Sequence, residues 1–179
     1  MADLPAYTLV TSRRRRSLAI LIDPERGVVV YAPERARRGE VDEIVRRKQG
    51  WIEQKLALQA ARRAAPKIAY DGDRDEAVWL INERVACYSR SMGLVPKKVT
   101  VKDQRRRWGS CSARTGALHF NWRIVMAPPA VLDYVVVHEL AHLRHPDHSR
   151  GFWSLVAQHA AGYRTCRRWL RENGDRLMV

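Results

Sequence analysis

The sequence contains few cysteines, and they lack the spacings that would give them a structural role. Cys87, Cys111 and Cys166 are the three cysteines among 179 residues. Their odd number and the lack of a C-x-x-C pair argue against a disulfide framework and against a zinc ribbon. Neither kind of small, cross-linked domain is therefore expected.

Long apolar segments are also missing. No uninterrupted apolar run approaches the roughly 18 residues that a membrane helix needs, and the longest candidate, residues 126–137, contains Asp133. The N-terminus lacks the apolar centre and small-residue cleavage site of a secretory signal. With 46% hydrophobic and 29% charged residues, the composition is that of a globular protein. We expect a soluble, cytoplasmic protein with no membrane partner, and the composition predicts no oligomeric state.

Acidic residues are scarce. There are 19 of them against 33 lysines and arginines, which gives a formal net charge of +14. The arginines and lysines form clusters at residues 13–16, 35–38, 46–48, 62–63, 105–107 and 167–168. Such a chain is attracted to polyanions, so nucleic acid and nucleotides are candidate partners. Solvated basic faces explain the clusters equally well, because no aromatic-interleaved groove accompanies them.

The first 66 residues predict a β-hairpin followed by one long helix. Apolar runs at residues 17–23 and 27–33 flank D-P-E-R-G, which has the residues of a tight turn. Residues 7–12 are a candidate third strand. From Gly39 onward apolar residues recur at helical spacing, which predicts an amphipathic helix over residues 41–64 that Pro66 ends.

Residues 67–179 predict one compact α+β unit. A helix over residues 75–91 is expected to end at Gly93. Apolar runs at residues 97–102 and 117–126 predict an antiparallel ribbon. Two prolines suit the first turn of a helix that carries residues 131–143. From residue 149 the chain is expected to be helical, with a break near Gly162.

Four of the six histidines lie within residues 138–148. The stretch H-E-L-A-H places His138 and His142 four residues apart, on one helix face with Cβ atoms about 5–6 Å apart. Two imidazoles at that spacing are able to bind one metal ion. Glu139 is close enough to reach a water beside the metal but is turned aside from direct ligation. This combination is what metal-assisted hydrolysis needs.

A zinc ion requires a third protein ligand and one open position. His145 lies about 10 Å along a helix axis from the first histidine, and the proline after it disfavours helical geometry. His148 follows a Pro-Asp turn from which the chain is able to fold back, and Ser149 suits the cap of the next helix. We therefore prefer His148 to His145. Asp147 fits equally well as a carboxylate that orients a ligand and as a turn residue.

Four motifs occur in order along the second half of the chain: R-W-G-S-C-S at 107–112, N-W-R at 121–123, Y-V-V-V-H-E-L-A-H-L at 134–143 and H-P-D-H-S-R-G-F-W at 145–153. Together they resemble the YgjP-like metallopeptidase family, which is zincin-like and distantly similar to SprT-like proteases. The resemblance implies a zincin-like catalytic domain with a small antiparallel sheet, an H-E-x-x-H helix and a polypeptide substrate. It implies one Zn²⁺ per chain, with His138, His142 and His148 as ligands and Glu139 as the catalytic base. The short, acidic segment at residues 68–76 departs from the more apolar stretch that is usual in the family.

The stretch R-W-G-S is the candidate rim of the substrate cleft, formed by Arg107, Trp108, Gly109 and Ser110. Its small residues suit a backbone that lies close to the metal cleft, and the flanking strand is able to pair with an extended peptide. A hairpin loop packed by Trp108 and solvated by arginines is the alternative. Cys111 is expected to be a buried thiol, not a ligand or a nucleophile.

Two kinds of hydrolase remain open. In a metallopeptidase, three neutral imidazoles leave zinc its full charge. That charge lowers the pKa of the zinc-bound water to about 7. Glu139 then moves the proton from that water to the leaving amine. The alternative is a zinc-dependent nucleotide phosphohydrolase of the nucleoside triphosphate pyrophosphatase type, or a protease recruited to nucleic acid, because arginine clusters bind phosphates. A structural zinc site is disfavoured because it would need a closed coordination shell.

Overall fold

A computed structural model describes residues 4–104 and 106–177. The chain forms two compact units, Met1–Ala65 and Pro66–Val179. Strands and helices occur in both, which confirms the predicted α+β class. Arg105, a member of one predicted arginine cluster, lies outside the described residues. Within the described ranges, no helix has the length and apolar character needed to cross a membrane.

The first unit consists of a three-stranded sheet and two helices. Its elements are β1 (Thr8–Ser12), β2 (Ala19–Asp23), β3 (Gly27–Pro33), α1 (Arg38–Arg47) and α2 (Gln49–Ala64). β3 is the central strand, antiparallel to β2 as the hairpin prediction requires and parallel to β1. The core of this unit joins the central strand to both helices through buried aliphatic side chains: Val28, Val30, Ala32, Val41, Val45 and Ile52.

The prediction of one continuous helix over residues 41–64 is wrong. The chain bends at Lys48, which has φ −101° and ψ 9°. The amide of Lys48 is shared between the carbonyls three and four residues earlier, so the regular hydrogen-bond ladder is interrupted. Gly50, with its low helix propensity, follows directly. Trp51, which the helical pattern placed among the apolar positions, is 41% exposed beyond this bend.

The second unit packs a small sheet with helices. Its elements are α3 (Arg74–Met92), β4 (Lys98–Lys102), β5 (Gly109–Ser112), β6 (Ala117–Asn121), a 3₁₀ helix (Trp122–Met126), α4 (Pro129–Ala141), α5 (Arg150–His159) and α6 (Tyr163–Leu177). The side chain of Asp73 caps α3 by accepting from the Glu76 amide. Gly93, at φ 63°, ends α3 in the left-handed conformation that the sequence predicted there.

The predicted antiparallel ribbon of residues 97–102 and 117–126 is wrong. β4 and β6 are parallel, and β5, which was not among the predicted strands, pairs with β6 in antiparallel fashion. The β5–β6 connection turns at Gly116, at φ 66°, whereas the chain between β4 and β5 crosses to the other edge of β6. β6 also ends earlier than expected, because the side chain of Asn121 caps the following 3₁₀ helix.

Helix α4 lies in the core of the second unit. Pro128 and Pro129 start it, as the sequence predicted. It contacts α3, α5, α6 and β5, so it has no solvent-facing polar stripe and is apolar nearly all round. Its buried residues are Val131, Leu132, Tyr134, Val135, Val136, Val137, Glu139, Leu140 and Ala141. A carboxyl group is therefore held inside an apolar environment.

One buried polar side chain, Asn121, connects β6 with the segment that leads into β5. Its amide nitrogen donates to the carbonyls of Gln104 at 2.6 Å and Arg107 at 3.3 Å. Its backbone amide donates to the carbonyl of Trp108 at 2.8 Å, and its side-chain oxygen accepts from the Arg123 amide at 3.1 Å. Because Asn121 is fully buried, these bonds hold the segment before β5 in place.

Replacing Asn121 with alanine is expected to lower the free energy of unfolding by about 1–3 kcal/mol, since buried carbonyls lose their donor. Urea titration followed by circular dichroism measures this loss. Asn82→Ala is the matched control, because that amide donates only to the Val78 carbonyl on the exposed side of α3, where water replaces it. Equal losses in the two variants would contradict the special role of Asn121.

Candidate metal centre and active site

The last turn of α4 carries the first two candidate ligands. His138 lies inside the helix and His142 is the residue just after it, still in right-handed helical geometry at φ −66° and ψ −18°. The centroids of their rings are 4.8 Å apart. The i, i+4 spacing therefore brings both imidazoles to one side of α4.

A third imidazole reaches them from the loop between α4 and α5. The Nε2 atom of His148 is 3.2 Å from the Nε2 atom of His138. The ligating nitrogens of His138, His142 and His148 all lie within 4.8 Å of one another. Ser149 starts α5 by capping the Phe152 amide, which sets where the loop returns. His145 is not part of this group in the described structure.

The spacing of the His138 and His148 nitrogens fits two ligands of a tetrahedral metal ion. Zn–N bonds of about 2.0–2.1 Å at tetrahedral angles place ligand nitrogens about 3.3–3.4 Å apart, close to the 3.2 Å between His138 and His148. The Nδ1 atom of His142 lies 3.0 Å from the carbonyl oxygen of His145, and that of His138 lies 3.3 Å from the Tyr134 hydroxyl. These contacts engage the Nδ1 atoms of His138 and His142 and leave the Nε2 atoms of these two rings available to a metal ion.

Burial keeps the imidazoles of His138 and His142 neutral. Desolvation, with smaller contributions from His142 and His148, lowers the pKa of His138 to about 3. Desolvation also lowers the pKa of His142, although its bond to the carbonyl of His145 acts the other way. A metal ion binds only the unprotonated nitrogen. Both rings are therefore ready to bind at neutral pH without first losing a proton.

Glu139 shares a cavity of about 370 Å³ with His138 and His142. Only 6% of Glu139 is exposed, and burial raises the pKa of its carboxyl group to about 7, against the opposing effect of Arg107. A carboxyl group with a pKa near the ambient pH is suited to take up and release a proton. Glu139 therefore lies beside two of the candidate ligands with a pKa that suits proton transfer.

Aromatic side chains form the floor under the histidines. The ring of Phe152 lies 4.9, 4.5 and 4.8 Å from those of His138, His142 and His148. Trp153 stacks on His148, with centroids 5.5 Å apart and planes at 22°. The sequence reasoning assigned these two aromatic residues no function. Their place directly after the Ser149 cap, in the turn that returns from His148, was the available signal.

The structure separates the four predicted rim residues. Arg107, Gly109 and Ser110 line the cavity together with Cys111. Trp108 does not line it: its ring packs against the core, and a Cβ on Gly174 would lie 3.3 Å from its Cζ2 atom. The ring of Trp108 therefore lies on the core side of this segment and not at the expected rim.

Two further predictions concern Asp147 and Cys111. The carboxylate of Asp147 accepts from the Ser149 amide at 3.3 Å, so Asp147 forms the turn. The His142 ring has the backbone carbonyl of His145 as its partner instead. Cys111 is partly buried in the cavity wall. Burial first, then the nearby Glu139, raise the pKa of the Cys111 thiol to about 11. At neutral pH it is a thiol and not the nucleophilic thiolate.

A family model for the YgjP-like, metallopeptidase domain matches residues 16–79 and 63–173. The chain belongs to this family. The two matched stretches overlap at residues 63–79, which include the acidic segment at residues 68–76. Family membership makes the chain a hydrolase of the metallopeptidase type and implies a metal ion.

Two other comparisons add little. The metallopeptidase zymogen abylysin of Pyrococcus abyssi has a solved structure that is similar to 51% of this chain and 93% of its own, at 18% identity and a TM-score of 0.43. No curated protein matches the sequence.

The contact between Tyr134 and His138 leads to a test of metal affinity. Removing the hydroxyl in Tyr134→Phe leaves the Nδ1 atom of His138 without its partner, so Zn²⁺ affinity is expected to fall by about tenfold. Competition against a chromophoric chelator measures this change. Tyr163→Phe is the control, because that hydroxyl only accepts from the exposed Arg164. Unchanged affinity in Tyr134→Phe would show that the phenol does not orient the ring.

Proposed function

We propose that the second unit is a zinc-dependent peptidase with a zincin-like arrangement of its H-E-x-x-H helix. His138, His142 and His148 are the ligands of one Zn²⁺ per chain, and Glu139 is the catalytic base. The observation that carries the proposal is the convergence of three imidazoles, with nitrogens within 4.8 Å of one another, two of which share a cavity with a buried carboxyl group. Three protein ligands leave a fourth position open for chemistry.

The metal ion and the side chains of the protein have different roles in the proposed reaction. A bound zinc ion supplies a Lewis acid that polarises the scissile carbonyl and activates water. Glu139 accepts a proton from the attacking water on a carboxylate oxygen and delivers it to the nitrogen of the leaving amine. The carbonyl of His145 and the hydroxyl of Tyr134 keep the ligand rings oriented while this happens.

Strand β5 is the proposed binding site for the peptide. It is an edge strand of its sheet, paired only with β6 among the described strands, and Gly109, Ser110 and Cys111 line the cavity. An extended polypeptide can add to such an edge through backbone hydrogen bonds. This arrangement would place a peptide bond beside Glu139 and makes polypeptide the proposed substrate.

A second candidate function is hydrolysis of nucleotides at the same metal. Arg107 lines the cavity, and a guanidinium group beside a metal ion is suited to hold a phosphate. Substrate screening separates the two functions: phosphate release from nucleoside triphosphates that exceeds peptide cleavage and requires His138 would favour the phosphohydrolase. Peptide cleavage without phosphate release supports the peptidase.

Glu139→Gln tests the role of the base. The amide cannot accept the proton, so kcat is expected to fall by about 10²–10⁴-fold while one zinc ion per chain is retained. Cleavage of an unfolded polypeptide and metal analysis of the same preparation are the two measurements. Glu83→Gln, at an exposed position of α3, should cleave like wild type. Peptidase activity that survives in Glu139→Gln would overturn the proposed function.

Gly109→Ala tests the position of that base. A Cβ at residue 109 would lie 2.6 Å from the Cγ and 2.7 Å from the Oε1 of Glu139, so the carboxylate has to move. A shift of about 1 Å costs on the order of 100-fold in kcat, with zinc content unchanged. Gly162→Ala is the control, because a Cβ there meets nothing within 4 Å. Full activity in Gly109→Ala would show that Glu139 needs no exact position.

A further inference from the structure

The topology of the first unit places two arginine-rich segments side by side. β1 pairs in parallel with β3, and the register ends with Ser12 opposite Pro33. The chain therefore leaves both strands at the same end of the sheet. Residues 13–16 follow one strand and residues 35–38 follow the other closely. The parallel pairing of β1 with β3 thus brings together two arginine clusters that are about 20 residues apart in sequence.

These segments carry an excess of positive charge. We call them the arginine surface, and its members are Arg13, Arg14, Arg15, Arg16, Arg35, Arg37 and Arg38. All seven are exposed. Four acidic residues lie in the same stretch of sequence, Glu34, Glu40, Asp42 and Glu43. Glu34 pairs with Arg13 at 2.8 Å, Asp42 with Arg38 at 3.7 Å, and Glu40 accepts from the Arg37 backbone amide. The seven arginines outnumber these four carboxylates, so the surface keeps a net positive charge.

A cavity of about 520 Å³ opens on this surface, lined by Arg13, Arg15, Pro33, Glu34 and Arg35. Arg15 and Arg35 take part in no ion pair within the described residues. The guanidinium of Arg15 lies over the ring of Tyr31, 4.9 Å from its centroid. This contact restricts the side chain before any ligand arrives, so less conformational entropy is lost on binding.

We propose that the arginine surface binds the phosphodiester backbone of a nucleic acid. Every cation in it is an arginine, whose planar group forms two parallel hydrogen bonds with one phosphate. The positive charge extends beyond the cavity to Arg14, Arg16 and Arg37, which favours an extended polyanion over one free nucleotide. No exposed apolar side chain lines the cavity, so a membrane surface is not favoured. This inference does not depend on the proposed peptidase activity.

The double variant Arg15→Gln/Arg35→Gln of the full chain tests the proposal. The probe is a fluorescently labelled single-stranded oligodeoxynucleotide, and its anisotropy is followed at several salt concentrations. Loss of two phosphate contacts is expected to weaken binding by about tenfold at low salt. It should also make the slope of log affinity against log salt shallower by about 1.4, because each contact contributes about 0.7.

A control variant that loses the same charge elsewhere distinguishes binding at this cavity from attraction to the net charge of the chain. Arg46→Gln/Arg47→Gln removes the same charge from exposed positions in the last turn of α1, about 13 Å along the helix axis from its start. Its affinity should stay within about twofold of wild type. Arg15→Lys/Arg35→Lys, which keeps the charge and loses the bidentate geometry, should bind more weakly with an unchanged salt slope.

Three results would overturn the proposal. Equal losses in the two glutamine double variants would mean that only net charge matters. Wild-type affinity in Arg15→Gln/Arg35→Gln would exclude this cavity. Binding of polyglutamate as tight as that of the oligonucleotide would identify an acidic polypeptide as the partner. Circular dichroism of each variant confirms that its fold is intact, and peptidase activity, measured separately, reports on the other unit's proposed function.

Discussion

The burial of α4 is the constraint on which the rest of the second unit depends. Desolvation disfavours every charged form, so it acts in opposite directions on the two kinds of titratable group that this helix carries. It lowers the pKa of His138 and raises that of Glu139. Both shifts favour the uncharged form. An apolar helix is therefore able to hold imidazoles and a carboxyl group together at a modest electrostatic cost, and the same shifts suit ligation and proton transfer.

The residues that surround α4 fix the positions of its reactive side chains. Phe152 fills the space under all three imidazoles, and a backbone carbonyl and a phenol hold the Nδ1 atoms of His142 and His138. On the opposite side, Asn121 fixes the segment that leads to Gly109, whose missing side chain makes room for Glu139. The positions of the reactive groups thus depend on side chains from α5, β6 and β5 and on the loop after α4, as well as on Tyr134 of α4 itself.

The local parts of this arrangement were predictable from the sequence, and the non-local parts were not. The spacing of His138 and His142 determines a shared helix face, and Ser149 marks where the loop after His148 ends. The pairing of β4 with β6 depends on a crossover that leaves no periodic signal. β5, with the sequence G-S-C-S, has neither β-branched residues nor alternation. The bend at Lys48 is invisible to hydrophobic spacing because apolar residues continue on both sides of it.

The two sheets share one arrangement of strands, and this has a consequence for how each unit folds. In each sheet the third strand in sequence lies in the centre, with the second strand antiparallel and the first strand parallel to it. Closing a short hairpin takes about microseconds, whereas a parallel partner must wait for a longer chain closure. β1 and β4 are thus the first strands of their sheets to leave the ribosome and the last to be placed. Until then one edge of each central strand has unpaired backbone groups. Mispairing between chains is therefore most favoured while only the hairpins have formed.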